Sequence, residues 1–348
     1  MAQDIPIALL GELYSTWSHR PVSSIVPLPE SGSYRRYFRI SDISRTFMGV
    51  YNTDNRENMA FIYLDRHLQK TGNRVPEIFC EDLGKNIYIE QDLGDTTLLD
   101  YLEHIRGNVD QDEKTISVYR KVIDTMPGLQ VASVSGIDYT ICYPRAEFDV
   151  QSMMWDMNYF KYMLLKLLAA PFNERRLEHD FNTLADYLLE TGQDYFLYRD
   201  FQTANVMIVG VEPWFIDYQG GRKGAPQYDV ASMLYDAKIP MEEPDREYLL
   251  NHYIGNFCSE TKVDRQKFRG YYSGFSMIRV MQALGAFGFR GLYEQKPTFT
   301  DSIVPGVRLL NQIIDQAENH ISLPELYTTV RSIPDTQIFA RLSESKHL

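Results

Sequence analysis

Hydrophobic and polar residues alternate in short runs through the first part of the chain, a pattern that predicts β-strands. The runs S-S-I-V-P-L and Y-F-R-I flank the turn-forming P-E-S-G-S, so we expect a hairpin with Gly32 near its tip. T-F-M-G-V-Y predicts a third strand, and V-P-E-I-F-C-E-D and K-N-I-Y-I-E-Q-D-L predict two more. Residues 55–70 have a polar and an apolar face, which predicts a helix that ends near Gly72.

After Gly94 the pattern becomes helical, beginning with T-T-L-L-D-Y-L. Residues 153–169 are apolar nearly all round, which predicts a buried helix, and residues 176–191 predict another. The chain from about residue 245 onwards is again helical. We therefore predict an α+β fold with two lobes, a small N-terminal lobe with a mixed β-sheet (1–92) and a larger, mainly helical lobe (93–348).

Composition narrows the class of protein. The chain has 348 residues, 44% of them hydrophobic, which is enough for a large buried core. The net charge of −12 argues against a protein that coats nucleic acid or anionic lipid, although a local basic pocket remains compatible with it. The three cysteines are far apart and predict free thiols, and neither a signal peptide nor a membrane span is predicted. We expect a cytoplasmic protein; composition does not predict its oligomeric state.

The stretch Y-R-D-F-Q-T-A-N carries the candidate chemistry. Asp200 is followed after four residues by Asn205, then by the strand-like V-M-I-V, a turn, and W-F-I ending at Asp217. A hairpin between these strands returns the chain on itself and brings Asn205 near Asp217. Phosphoryl transfer needs a carboxylate that accepts the proton of the attacking hydroxyl and oxygen ligands for Mg²⁺, and D-x-x-x-x-N has the spacing of a kinase catalytic loop. The structural alternative is a pair of helix caps or Asx-turns.

These motifs resemble the aminoglycoside phosphotransferase and choline-kinase-like branch of the protein-kinase-like fold. With F-I-D-Y-Q-G-G-R-K-G-A-P-Q-Y-D-V-A-S-M-L they are most similar to the bacterial anomeric sugar kinases that phosphorylate N-acetylmuramate and N-acetylglucosamine. The resemblance covers residues 24–310. It implies that Asp200 is the catalytic base, that Asn205 and Asp217 are magnesium ligands, and that ATP is the phosphoryl donor.

The chain departs from the kinase pattern at the third strand, where T-F-M-G-V-Y-N has no lysine to pair with the α- and β-phosphates. Arg35 and Arg36 follow the Gly32 turn and are candidates for the missing cation. Because alternate residues of a strand face opposite sides, only one of the pair can face the nucleotide, and we favour Arg36. The alternative is that both arginines are solvated. Glu57 has two alternatives, a residue that orients a phosphate-binding cation and an acidic residue favoured by the helix dipole, and we favour the second.

Other nucleotide contacts are expected at two places. Backbone N–H groups at Gly32 and Ser33 would lie near the phosphates. Residues Glu90, Asp92 and Leu93 fall where the lobes join, and there the backbone would hydrogen-bond adenine.

The helical lobe is expected to bind the acceptor. The resemblance points to Asp156 as an acidic residue near a sugar, and Arg222 is a candidate contact for an anionic group such as a lactyl carboxylate, with a solvated loop charge as the alternative. Asp229 is expected to be structural and to hold the catalytic-loop backbone.

Three functions remain open from the sequence. The first is an ATP- and Mg²⁺-dependent kinase of an amino-sugar anomeric hydroxyl. The second is a kinase of another small acceptor, such as an aminoglycoside, a choline-like amine or homoserine. The third is a nucleotide-binding pseudokinase, suggested by the absent lysine. A protein kinase is disfavoured because no A-P-E segment follows Asp217.

Overall fold

A five-stranded sheet forms the N-terminal lobe of the computed structural model, which describes residues 4–29, 35–105 and 112–344. The spatial order is β1-β2-β3-β5-β4. Its strands are β1 (Ser24–Pro27), β2 (Arg36–Ser41), β3 (Thr46–Tyr51), β4 (Ile78–Asp82) and β5 (Ile87–Gln91). Every pairing in the described strands is antiparallel, where we expected a mixed sheet.

The two faces of this sheet pack against different helices. Helix α1 (Asp4–Ser18) covers one face, and its Leu10 and Tyr14 lie in a core with apolar residues of β2, β3 and β5. Helix α2 (Asn55–Lys70) lies on the other face, where its apolar residues join a continuous core with the helical lobe. The cleft between the lobes is therefore bordered by the α2 face of the sheet.

The second lobe is mainly helical, as predicted. Its helices are α3 (Leu98–Ile105), α4 (Asp112–Val131), α5 (Val150–Phe160), α6 (Glu174–Leu189), α7 (Gln227–Leu234), α8 (Glu243–Thr261), α9 (Arg265–Phe287), α10 (Pro297–Thr300), α11 (Ile303–Ala317), α12 (Pro324–Ser332) and α13 (Gln337–Glu344). Helix α5 continues into a π-helical turn at Lys161–Leu165. A Cβ on Gly288, just beyond α9, would lie 1.9 Å from the carbonyl oxygen of Met163, so only glycine allows this close packing.

Two short ribbons carry the candidate catalytic segments. Strand β6 (Tyr195–Leu197) pairs with β9 (Arg222–Gly224), and β7 (Val206–Val209) pairs with β8 (Glu212–Phe215). The loop 198–205 connects β6 to β7, and Asp217 lies just beyond β8. The predicted hairpin is thus present. In the described chain no helix combines the length and apolar character needed to cross a bilayer.

Side-chain contacts hold helix α2 against the helical lobe. The buried Tyr218 stacks on Phe61 with a ring-centroid distance of 4.8 Å and donates a hydrogen bond to Asp65. Two residues further on, the ring nitrogen Nε2 of His67 lies 2.6 Å from the carbonyl oxygen of Ser133. The helix that borders the cleft is therefore fixed to both lobes.

Candidate functional site

The catalytic loop is held by a buried carboxylate. Asp229, at the start of α7, accepts hydrogen bonds from the backbone N–H groups of Tyr198 and Arg199 at 2.8 and 2.9 Å. Arg199 has a positive φ of 85°, an uncommon conformation for a side-chain-bearing residue that such contacts stabilise. Asp200 follows directly and is partly exposed. Asp229 thus occupies the position of a residue that fixes the loop backbone.

Asn205 and Asp217 lie side by side. The backbone N–H of Ile216 donates to the carbonyl of Asn205 at 3.1 Å, which extends the β7–β8 hairpin and brings the two side chains to 3.4 Å. The amide nitrogen of Asn205 also donates to the backbone carbonyl of Asp200 at 2.9 Å. Asn205 therefore contacts both Asp217, through its side chain, and Asp200, through its backbone carbonyl.

Asp217 is a suitable metal ligand on chemical grounds. Burial raises its pKa although Arg35 and Gln219 oppose the rise, so its carboxylate gains from a nearby cation. Its positive φ of 69° is a strained conformation of the kind found at functional sites. Among the residues that the structure describes, no group of three or more His, Cys, Asp or Glu side chains lies close enough together to hold a metal ion. Asn205 and Asp217 fit Mg²⁺, which binds to few protein oxygens and takes its other ligands from phosphates and water.

Arg35, and not Arg36, lies beside these residues. Its guanidinium donates to Gln219 at 2.8 Å and lies 3.8 Å from Asp217 and 3.7 Å from Glu57. Burial opposes its charge, but neighbouring phenol oxygens together with Asp217 and Glu57 outweigh burial and raise its pKa. Glu57 thus lies where it can orient the Arg35 guanidinium, which is the alternative that we favoured less from the sequence.

Strand alternation explains the choice between the two arginines. Tyr37 of β2 pairs with Val50 of β3 on the cleft face of the sheet, and Arg35, two residues before Tyr37, shares that face. Arg36 lies on the opposite face, where its guanidinium is 5.3 Å from the ring centre of Phe38. The preference for Arg36 from the sequence is thus corrected in favour of Arg35.

A cavity of 250 Å³ lies between the sheet and the helical lobe. Its lining comes from both lobes: Leu28, Tyr37, Met48, Phe61, Pro76, Glu90, Gln91, Leu93, Gly94, Asp95, Thr97, Met207, Ile216 and Asp217. Two of the predicted nucleotide residues, Glu90 and Leu93, are therefore in its wall. The Asp92 side chain is instead bound to Arg39 at 2.7 Å, which leaves its backbone as the predicted contact. Gly32 and Ser33 lie outside the described residues.

The two predicted acceptor residues, Asp156 and Arg222, lie on the helical side of Asp200. Asp156 is buried and forms a two-fold hydrogen bond with Arg199, at 2.6 and 2.5 Å. Arg222 on β9 is also buried, and its Nε donates to the carbonyl of Gly220 at 2.9 Å. Burial and the neighbouring Arg199 lower the pKa of Arg222 to about 10. An anionic ligand would offset the repulsion between the guanidinium groups of Arg199 and Arg222.

Sequence reasoning missed several residues of the site. The sequence identified Arg199 only as part of the loop motif. Nothing in the local pattern predicts that its partner is Asp156. Gln219 bridges Arg35 and Asp217, with its amide nitrogen 2.9 Å from the Asp217 carboxylate. The Y-Q after Asp217 was the only local signal for it.

Comparison with known proteins agrees with this geometry. Residues 24–270 match the family model described as the phosphotransferase enzyme family. The chain is 24% identical over 242 residues to an N-acetylmuramate/N-acetylglucosamine kinase of Pseudomonas aeruginosa, covering 68% of this chain and 67% of that protein. It is 25% identical over 302 residues to a kinase of the same name from Neisseria meningitidis, covering 84% and 86%.

Solved structures support the same fold. A choline kinase from Cryptosporidium parvum matches with a TM-score of 0.63 at 13% identity and covers 94% of this chain and 99% of that one. The amicoumacin kinase hAmiN, solved with AMP-PNP, Ca²⁺ and Ami, matches with a TM-score of 0.62 at 12% identity over 90% of this chain and 93% of that one. The predicted bilobal kinase-like fold is confirmed, and the chain belongs to the phosphotransferase enzyme family.

Proposed function

We propose that this phosphotransferase uses ATP and Mg²⁺ to phosphorylate the anomeric hydroxyl of an amino sugar such as N-acetylmuramate or N-acetylglucosamine. The observation that carries the proposal is the convergence of Asp200, Asn205 and Asp217 beside a buried arginine and a cavity between the lobes. The names of the two bacterial relatives support the acceptor class.

In the proposed reaction the acceptor oxygen attacks the γ-phosphorus as the bond to the β-phosphate oxygen breaks, and ADP leaves. Asp200 orients the hydroxyl and accepts its proton. Asn205 and Asp217 would hold Mg²⁺, which when bound offsets phosphate charge. Arg35 takes the role of the absent strand lysine because its buried guanidinium lies beside Asp217 and is oriented by Glu57.

The acceptor side favours an anionic or neutral ligand over a cationic one. In the described part of the site Asp156 is already bound to Arg199, and Arg222 adds a second guanidinium near Asp200. This arrangement offers no surplus of negative charge for an aminoglycoside or a choline-like amine. Arg222 is the residue that would bind a lactyl carboxylate.

The test is an ADP-release assay with a panel of acceptors that contains N-acetylmuramate, N-acetylglucosamine, other hexoses, an aminoglycoside, choline and homoserine. We expect turnover with an amino sugar that falls by about 10³-fold or more in Asp200→Asn. If no sugar gives turnover above that of Asp217→Ala, the sugar-kinase proposal is wrong. If wild type and Asp200→Asn behave alike with every acceptor, the chain is a pseudokinase.

A further inference from the structure

The cavity contains a buried carboxyl group that the phosphoryl transfer does not use. Glu90 on β5 is directly opposite Met48 on β3, and both side chains line the cavity. Glu90 is 7% exposed. Its Oε2 is buried and accepts no hydrogen bond from any residue in the described ranges. A buried polar atom without a partner is costly, so this carboxyl group is a candidate ligand contact.

The surroundings of Glu90 favour its neutral form. Burial, and then the nearby carboxyl group of Asp65 on α2, raise the pKa of Glu90 to about 8, although Arg35 opposes the rise. A neutral carboxylic acid has one O–H donor and one carbonyl acceptor. At neutral pH Glu90 can therefore both give and accept a hydrogen bond.

Adenine has a matching edge. Its N7 is an acceptor and its 6-amino group is a donor, whereas guanine presents two acceptors, N7 and O6, on the same edge. Residues Asp92 and Leu93 follow Glu90 where the lobes join, and their backbone is the proposed contact for the adjoining edge of the base. The Glu90 side chain then meets the edge that carries N7 and the 6-amino group.

We propose that Glu90 makes the nucleotide site selective for adenine by donating a hydrogen bond to N7 and accepting one from the 6-amino group, a role that rests on the proposed use of ATP. Guanine would leave the Glu90 carbonyl facing O6. Met48 and Leu93 supply the apolar walls between which the base lies.

The first test uses the wild-type chain. Calorimetry measures the Kd of ATP, of 7-deaza-ATP, which lacks the N7 acceptor, and of GTP. We expect 7-deaza-ATP to bind about tenfold more weakly than ATP, because one buried donor loses its partner, and GTP to bind more weakly still. Equal Kd values for ATP and 7-deaza-ATP would overturn the proposal, as would the absence of ATP binding.

Variants assign the effect to the side chain. Glu90→Gln keeps one donor and one acceptor and should retain the preference for ATP over 7-deaza-ATP. Glu90→Met removes both and should bind the two nucleotides within about twofold. Glu77→Met, at an exposed glutamate outside the cavity lining, is the matched control and should behave like wild type. A preference that persists in Glu90→Met would show that another group recognises N7.

Binding needs no acceptor, so the two proposals fail separately. Selective ATP binding without turnover on any acceptor would reject the proposed function and leave Glu90 selectivity standing. Sugar phosphorylation that is equally efficient with ATP and 7-deaza-ATP would reject the selectivity alone.

Discussion

Two buried arginines, Arg35 in the N-terminal lobe and Arg222 in the helical lobe, have different electrostatic surroundings. Arg35 lies among oxygen atoms, with Gln219, Asp217 and Glu57 around its guanidinium, and its pKa is raised. Burial, and then the nearby guanidinium of Arg199, lower the pKa of Arg222. The first arginine is oriented before any ligand arrives, whereas the second gains most from a ligand that brings its own negative charge. One lobe is thus suited to position phosphate and the other to select an acceptor.

Of the two arginines, Arg35 should have the larger effect on activity when it is replaced. Arg35→Ala removes the only cation that the described structure brings within 4 Å of Asp217, and we expect turnover to fall by about 10²–10³-fold. Steady-state kinetics with saturating acceptor measures this change. Arg36→Ala is the matched control and should stay within about threefold of wild type, because Arg36 lies over Phe38 on the other sheet face. If both variants lose activity equally, the assignment of the two faces is wrong.

Replacement of Arg222 should separate anionic from neutral acceptors. We expect Arg222→Met to raise the KM for N-acetylmuramate about tenfold to a hundredfold, because a charged hydrogen bond to the lactyl carboxylate is lost, and to leave the KM for ATP unchanged. The KM for N-acetylglucosamine, which has no carboxylate, should change little.

Lys223→Met serves as the control for Arg222→Met, since Lys223 faces Asp194 at 2.6 Å on the outer side of the same strand. Equal rises in KM for both sugars would contradict carboxylate recognition by Arg222.

The affinity for ATP should depend on pH, and this smaller effect comes from Glu90 in the N-terminal lobe. Since the pKa of Glu90 is raised to about 8, its carboxyl group is protonated below that pH and ionises as the pH rises through it. We expect the Kd for ATP to rise severalfold between pH 7 and pH 9 as Glu90 loses its proton and can no longer donate to N7. The Kd in Glu90→Gln should rise less than in wild type, and parallel curves for the two proteins would contradict this origin.

Several titratable groups surround Glu90 and enter the same pH series. Asp65 lies on α2, and Asp217 and Tyr218 lie in the segment after β8. Arg35, Tyr37 and Tyr88 lie on the cleft face of the sheet. The pKa of Asp65 is raised to about 7 by burial, so its ionisation adds negative charge over the same range. Asp65→Asn should therefore shift the midpoint for ATP binding to lower pH.

Removal of the Tyr218 hydroxyl should act mainly on stability. Tyr218→Phe keeps the ring that stacks on Phe61 but leaves Asp65 without its donor, and we expect the free energy of unfolding to fall by about 2 kcal/mol. Chemical denaturation measures this change. Tyr63→Phe, at a partly exposed position in the middle of α2, should cost less than about 1 kcal/mol. Equal losses of unfolding free energy in the two variants would contradict a larger stabilisation by the buried Tyr218–Asp65 hydrogen bond.

Local pattern predicted much of the fold and part of the site. The sheet strands, helix α2 and the hairpin from Asn205 to Asp217 follow from alternation and turn residues, which act over a few positions. Helix α1 was not predicted, because its residues 4–18 have only a short apolar run and its stability comes from packing on the sheet.

The remaining errors concern long-range placement. Alternation correctly placed only one of the two arginines on the cleft face, yet which one depends on where β2 begins, and that is fixed by its pairing with β3. The pairing of Asp156 with Arg199 joins residues 43 positions apart, a contact that no local pattern specifies. The division into lobes at residue 92 stays a prediction.

Helix α2 has contacts near its start and in its second half: Glu57 near Arg35, Asp65 with Tyr218, and His67 with Ser133. A tilt of this helix would break its contacts with Arg35 and with Tyr218, the neighbour of Asp217, at once. The conformational entropy of aligning these groups is therefore lost when the chain folds, and little of it remains to be lost when nucleotide binds.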